Sequence, residues 1–215
     1  NPVTGRKIGN ASGSRDRWLT RNEANRLIQA AARESKAPYL ADFIRLALFT
    51  GCRRGELLGL EWSRVDLHRN VIRLQAQHTK SGAPRVIPLC NEARAALIGR
   101  QRFRASHCPD APFVFVNYEG NRIGSIKRSF STACRRSDIS DFRIHDLRHT
   151  FASWLVTEGV PLLEVSRLLG HSTVKMTERY AHLAPDSLES AVGLLDQRAH
   201  SGHTDRRRID REVVS

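Results

Sequence analysis

Two thirds of the way along the chain, the stretch "HDLRHT" (145–150) concentrates residues that can do chemistry. His145 and His149 stand four apart beside an acid, the spacing of a zinc-binding H-E-x-x-H helix. Arg148 stands between them, and a fixed positive charge is a poor neighbour for a metal cation. The zinc reading also needs a third ligand and a glutamate base at 146, where this chain has Asp146. His145 and Arg148, three apart and therefore on one helical face, suit an anion instead.

Four further polar residues fall at the ends of expected elements: Arg53, Lys80, His171 and Tyr180. Singly, each has an ordinary reading. An arginine at a helix start or a lysine in a turn is usually solvated, and a histidine after a glycine stop is usually a loop residue. A tyrosine near a helix end usually packs. With His145 and Arg148, however, they suit attack on a phosphodiester. The five-coordinate phosphorus carries extra negative charge, which two guanidiniums can clamp through forked N–H donors. A tyrosine can be the nucleophile, but with a pKa of about 10 it needs a cationic pocket or a nearby base. A lysine on a hairpin tip can protonate the leaving 5′ oxygen. No step requires a metal or a cofactor.

The elements that must position these groups are legible in outline. Thr20 and Glu23 form a capping box before a helix whose inward stripe is Leu27, Ile28 and Ala31. "PYLADFIRLALFT" (38–50) is a core helix ending near Gly51, and "RRGELLGLEW" (53–62) is a further helical segment. The period then changes. "NVIRLQA" (70–76) and "RVIPL" (85–89) form an antiparallel hairpin whose tip carries Lys80, and "FVFV" (113–116) is a candidate strand. Helix returns at 91–103 and in "HDLRHTFASWLVTEGV", with Leu147, Phe151 and Trp154 on its apolar face. "PLLEVSRLLG" has Pro161 in its first turn and Gly170 as its stop, and "STVKMTERYAHL" restarts with a Ser/Thr cap and places Tyr180 on or just after the next helix. The expectation is an α+β fold, mostly helical, with one small antiparallel sheet.

Composition narrows the class. Lys and Arg exceed Asp and Glu by 13 over 215 residues, which points to a polyanion such as nucleic acid. Apolar runs such as "LALF" are far too short for a membrane span. Cys52, Cys90, Cys108 and Cys134 contain no C-x-x-C pair, so neither a disulfide framework nor structural zinc is expected, and a reducing cytoplasm fits. Cys52 has apolar neighbours and reads as a small buried thiol rather than a nucleophile. Met176 is the only methionine and residues 1–16 read as a linker, so a fragment of a longer protein is expected.

"TGCRRGELLGLEW" (50–62), "TKSGAPRVIPL" (79–89), "HDLRHTFAS" (145–153), "LLGHS" (168–172) and "TERYAHL" (177–183) together resemble the boxes of the tyrosine recombinase (phage integrase) family, in order and at similar spacing. The resemblance implies a catalytic domain of the DNA breaking-rejoining type over 17–184. Arg53 and Arg148 would hold the scissile phosphate, and Lys80 would protonate the leaving 5′-OH. His145 and His171 would hydrogen-bond the phosphate and assist proton transfer, and Tyr180 would form the 3′-phosphotyrosyl link. Glu56 would have a structural or arginine-orienting role. His149 would pack or hydrogen-bond beside the site. The implied partners are double-stranded DNA and further copies of the chain, as a tetramer on DNA, in the bacterial cytoplasm at the nucleoid. Family members carry an N-terminal helical domain, so this chain is expected to be the catalytic part alone. A helix over 185–197 would dock on its own domain or on a neighbouring protomer, and 198–215 would be a flexible tail. A type IB topoisomerase and a catalytically silent DNA-binding regulator are the rival readings; the complete set of six residues disfavours the second.

Overall fold

A computed structural model describes residues 17–79 and 82–185. The linker-like start, Lys80, and the segments 186–197 and 198–215 therefore lie outside the described residues. Helix α1 (Arg21–Ala32) starts as its capping box dictates. The Thr20 hydroxyl accepts the Glu23 N–H at 3.2 Å, and the Glu23 carboxylate accepts the Thr20 N–H at 2.8 Å. Helix α2 (Leu40–Thr50) is apolar around most of its circumference because it runs through the core. It packs on α1, on α4 (Asn91–His107) and on α6 (Asp146–Thr157), while α5 (Lys127–Arg136) covers α1.

Three short antiparallel strands lie in the order β1 (Val65–Asp66), β2 (Val71–Leu74), β3 (Arg85–Pro88). The β2–β3 pair is the expected hairpin, with Val71 opposite Pro88 and Leu74 opposite Arg85. Strand β1 is an addition to it. Ile72, Leu74 and Ile87 turn inward and join the main core. Arg85 shares the inward register of Ile87, two residues on, so a charge is carried toward the interior.

Helix α6 serves two cores. Leu147 enters the main one, whereas Ala152 and Val156 meet Val165 and Leu169 of α7 (Leu162–Leu169), together with Tyr180, in a smaller one. From its other side, α6 is tied to the segment before α1. The Thr150 hydroxyl accepts the Leu19 N–H at 3.1 Å, and the Trp154 indole N–H donates to the Leu19 carbonyl at 2.8 Å. The helix that carries His145, Arg148 and His149 is thus held on three sides.

Several expectations need correction. Residues 113–116 form no ladder; Phe113 and Val116 make single bridges to Glu61 and Arg122. Val114, Phe115 and Val116 are buried, but the neighbouring segments meet this run only at those two bridges. The helix in 53–62 is only α3 (Arg54–Leu58), closed at Gly59. Pro161 stands at the cap of α7, one place before its first turn. Tyr180 lies on a 3-10 turn, Glu178–Leu183, preceded by another at Val174–Met176. No Ser or Thr side chain caps either turn; Thr177 is engaged by a histidine instead. Among the described residues, no helix is long and apolar enough to cross a membrane.

Gly51 ends α2 at φ +62°, and a Cβ there would come within 2.5 Å of the Phe151 ring. Left-handed backbone costs a non-glycine residue about 1–2 kcal/mol, and overpacking typically costs about 1–3 kcal/mol more. Gly51→Ala is therefore expected to lower stability by roughly 2–5 kcal/mol. Urea denaturation should show a lower midpoint with an unchanged slope.

Candidate active site

Arg148 is only 4% exposed. One arm of its guanidinium donates to the Gly51 carbonyl and the other to the Leu169 carbonyl, each at 2.6 Å. Those oxygens lie at the C-terminal ends of α2 and α7, where helices present carbonyls without intrahelical partners and the negative end of their dipole. The fork therefore binds two helix ends to α6 and fixes the charge in place. Burial, and then the charge of Arg53, pulls the Arg148 pKa down to about 10. The guanidinium remains charged at neutral pH.

Glu56, 5% exposed, is the counter-charge. Arg85 donates to both carboxylate oxygens, at 3.0 and 2.7 Å. Arg53 adds a side-chain bond at 3.0 Å and its backbone N–H at 2.7 Å. Burial alone would raise the Glu56 pKa, but the bonds and charge of Arg85, with those of Arg53, hold it below the usual carboxylate range. Three guanidiniums therefore surround one carboxylate, which is bonded to Arg53 and Arg85, leaving two positive charges uncompensated among these four side chains.

The histidines surround this charge. His145 stands at the N-terminal cap position of α6, and its ring lies 4.8 Å from that of His149. His171, directly after the Gly170 stop, bonds through Nδ1 to the Thr177 hydroxyl at 2.8 Å. All three are shifted toward the neutral form. Burial and then Arg148 lower His145, with Asp146 opposing. Burial, His145 and Arg179 bring His149 down to about 4; burial, Arg148 and Arg53 bring His171 down to about 4. Tyr180 is 6% exposed, and its hydroxyl shares a short hydrogen bond with His149 Nδ1. The space left around the phenol, among Arg17, Trp18, Arg179 and Leu183, is only about 10 Å³.

Arg53, His145, Arg148 and His171 thus occupy one electrostatic neighbourhood, and Tyr180 is joined to it through His149. Lys80 lies outside the described residues. Beside the cluster, an open groove of about 410 Å³ runs between the β3 arm of the hairpin and the end of α7, lined by Arg85, Arg167, Gly170 and His171. Among the described residues, no three His, Cys, Asp or Glu side chains group as they would around a metal. Cys52 is the buried thiol the sequence suggests, with burial raising its pKa to about 11.

Sequence reasoning missed Arg85 in this cluster, and it put His149 beside the site without its bond to Tyr180. Arg85 begins a strand whose inward register includes Ile87, and an inward arginine must find a buried acid; that alternation was the available signal. His149 lies four residues after His145, so the same helical spacing that suggested zinc also placed it beside the site.

The chain is thus a mostly helical domain with a small sheet, in which a buried arginine pocket can take an anion and a tyrosine docks at its edge. The phage integrase family pattern matches residues 17–187, and the chain belongs to that family. It is 34% identical over 203 residues to the integrase of Salmonella phage P22, an alignment covering 88% of this chain and 50% of that protein. It is 30% identical over 185 residues to the tyrosine recombinase XerC of Corynebacterium glutamicum, covering 84% and 59%. The fold matches the solved catalytic domain of bacteriophage HP1 integrase with a TM-score of 0.62 at 30% identity, covering 82% of this chain and 93% of that one. The chain thus spans about half the length of the curated relatives it matches.

Glu56→Gln removes the shared carboxylate and leaves Arg53, Arg85 and Arg148 mutually repelling. Breaking a buried pair by removing one partner costs about 3–5 kcal/mol, which is the expected loss in urea denaturation at pH 7. Because the folded pKa of Glu56 is depressed, its contribution is complete above the unfolded carboxylate pKa and is lost as pH falls through the folded one. The variant should therefore lose less of its remaining stability than wild type on that acid limb.

Proposed function

We propose that the chain is the catalytic domain of a site-specific DNA recombinase that cuts and rejoins strands through a 3′-phosphotyrosyl intermediate. The observation that carries this reading is the buried arginine pocket, with Tyr180 held at its edge by His149. Arg53 and Arg148 bind the non-bridging oxygens of the scissile phosphate, and Arg85 acts through Glu56 to hold Arg53 in place. His145 and His171, neutral before substrate arrives, can donate hydrogen bonds to the phosphate and become better bases once its charge is present. Tyr180 attacks phosphorus, and Lys80 protonates the 5′ oxygen that leaves.

The covalent link keeps the phosphoester bond energy, so religation to another strand needs neither ATP nor a metal. The groove beside Arg85 and His171 is a suitable bed for the DNA backbone next to the cleaved bond. Family membership supports DNA as the partner. Strand exchange requires several copies, and a tetramer assembled on double-stranded DNA in the bacterial cytoplasm fits that requirement.

Incubation with a pool of nicked duplexes of randomised core sequence, from which the cut fragment diffuses away, tests the reading. A protein–DNA adduct that survives denaturation is expected with wild type and not with Tyr180→Phe. Binding of the same duplexes should weaken steeply with salt, because phosphate contacts release counterions. Failure to form an adduct on the pool and on the native attachment site contradicts the proposal, and relaxation of plasmid supercoils without a preferred site favours a topoisomerase.

A further inference from the structure

We propose that His149 is a catalytic residue, the group that takes the phenolic proton from Tyr180 during attack; this rests on the recombinase reading above. The bond between Tyr180 Oη and His149 Nδ1 supplies the geometry. General-base catalysis requires that contact with the reacting hydroxyl. Tyr180 is buried, so bulk water has little access to replace the histidine as acceptor.

The surrounding charges make the base dependent on substrate. His149 faces His145 and Arg148 from its own helix, Arg179, Tyr180 and His182 from the last turn, His171 from the end of α7, and Arg17 from the N-terminal segment. Burial and the neighbouring cations hold it neutral, with a pKa of about 4. A neutral ring has a lone pair available for the tyrosine proton. An ordinary phenol, with a reference pKa of about 10, gives up its proton to such an imidazole only steeply uphill. A phosphate seated on Arg53 and Arg148 adds negative charge, which raises the proton affinity of the imidazole. The tyrosine is thereby activated when its target is in place.

In the forward step, the Tyr180 O–H bond breaks and its proton moves to His149 Nδ1. The oxygen electron pair forms the new O–P bond. The P–O5′ bond breaks with its electrons on O5′, which takes a proton from Lys80. Religation reverses the sequence: phosphorus leaves the tyrosine, and the imidazolium returns its proton to the phenol oxygen.

The test compares wild type, His149→Gln, His149→Ala and Lys80→Ala in forming the adduct on a nicked duplex whose scissile bond is intact. One version of the duplex has an ordinary scissile phosphate and the other a 5′-bridging phosphorothiolate, whose thiolate leaves without a proton. His149→Gln is expected to slow adduct formation by about 10²–10⁴-fold on both duplexes. Lys80→Ala should be repaired by sulfur, while added imidazole should restore His149→Ala. Melting curves establish that each variant is folded; if the glutamine variant is not, the alanine variant with imidazole carries the comparison. A folded His149→Gln within threefold of wild type overturns the assignment, as does repair of its defect by sulfur. If wild type forms no adduct, or Tyr180→Phe forms one, the recombinase reading fails and this assignment falls with it.

Discussion

The rest of the site depends on one buried fork, the Arg148 guanidinium bonded to the carbonyls of Gly51 and Leu169. An unpaired charge in a protein interior is costly, and burial has already lowered the proton affinity of this one. The helix-end carbonyls offset part of that cost without supplying a full negative charge. The fork is consequently anchored but not neutralised. It also fixes the relation of α2, α6 and α7, so the elements that bring Arg53, His145 and His171 together are bound through the same guanidinium.

Glu56 provides the complementary constraint. Its carboxylate is divided between Arg85, which is bound in a planar bidentate pair, and Arg53, which is bound by one side-chain arm and the backbone N–H. Such sharing holds Arg53 near the cluster without cancelling it. The consequence extends to the histidines. Burial and the excess positive charge keep His149 and His171 neutral well below their ordinary range. A pocket with fixed cations and neutral imidazoles gains most from a ligand that brings negative charge, and a phosphodiester does so.

Local signals made much of the scaffold legible. The Thr20–Glu23 box, the apolar α2 with its Gly51 stop and the alternating halves of the hairpin each specify an element from a few adjacent residues. Signals of that kind fail where pairing is decided at long range. The run at 113–116 has strand composition, yet it makes only single bridges because its partners are a helix approach and a tight loop. The segment bearing Tyr180 has helical composition, but Thr177 is engaged by His171 and the backbone tightens into 3-10 turns. In the site, the spacing of His145 and Arg148 showed that they share a face, and the family boxes supplied the other positions. Neither conveyed that Arg85 shares the acid of Arg53 or that His149 touches the tyrosine, since both facts depend on packing between distant segments.

The role proposed for this pocket is to hold fixed positive charge ready for a phosphate. Titration of the ring nitrogens of His149 and His171 by NMR addresses it most directly, first in the DNA-free protein and then, for His171, in Tyr180→Phe bound to an intact duplex. Both rings in the free protein are expected to lose their protons near pH 4, and His171 to move upward when DNA binds. Midpoints at or above the ordinary histidine value of about 6.5, or no movement of His171 on binding, would contradict it.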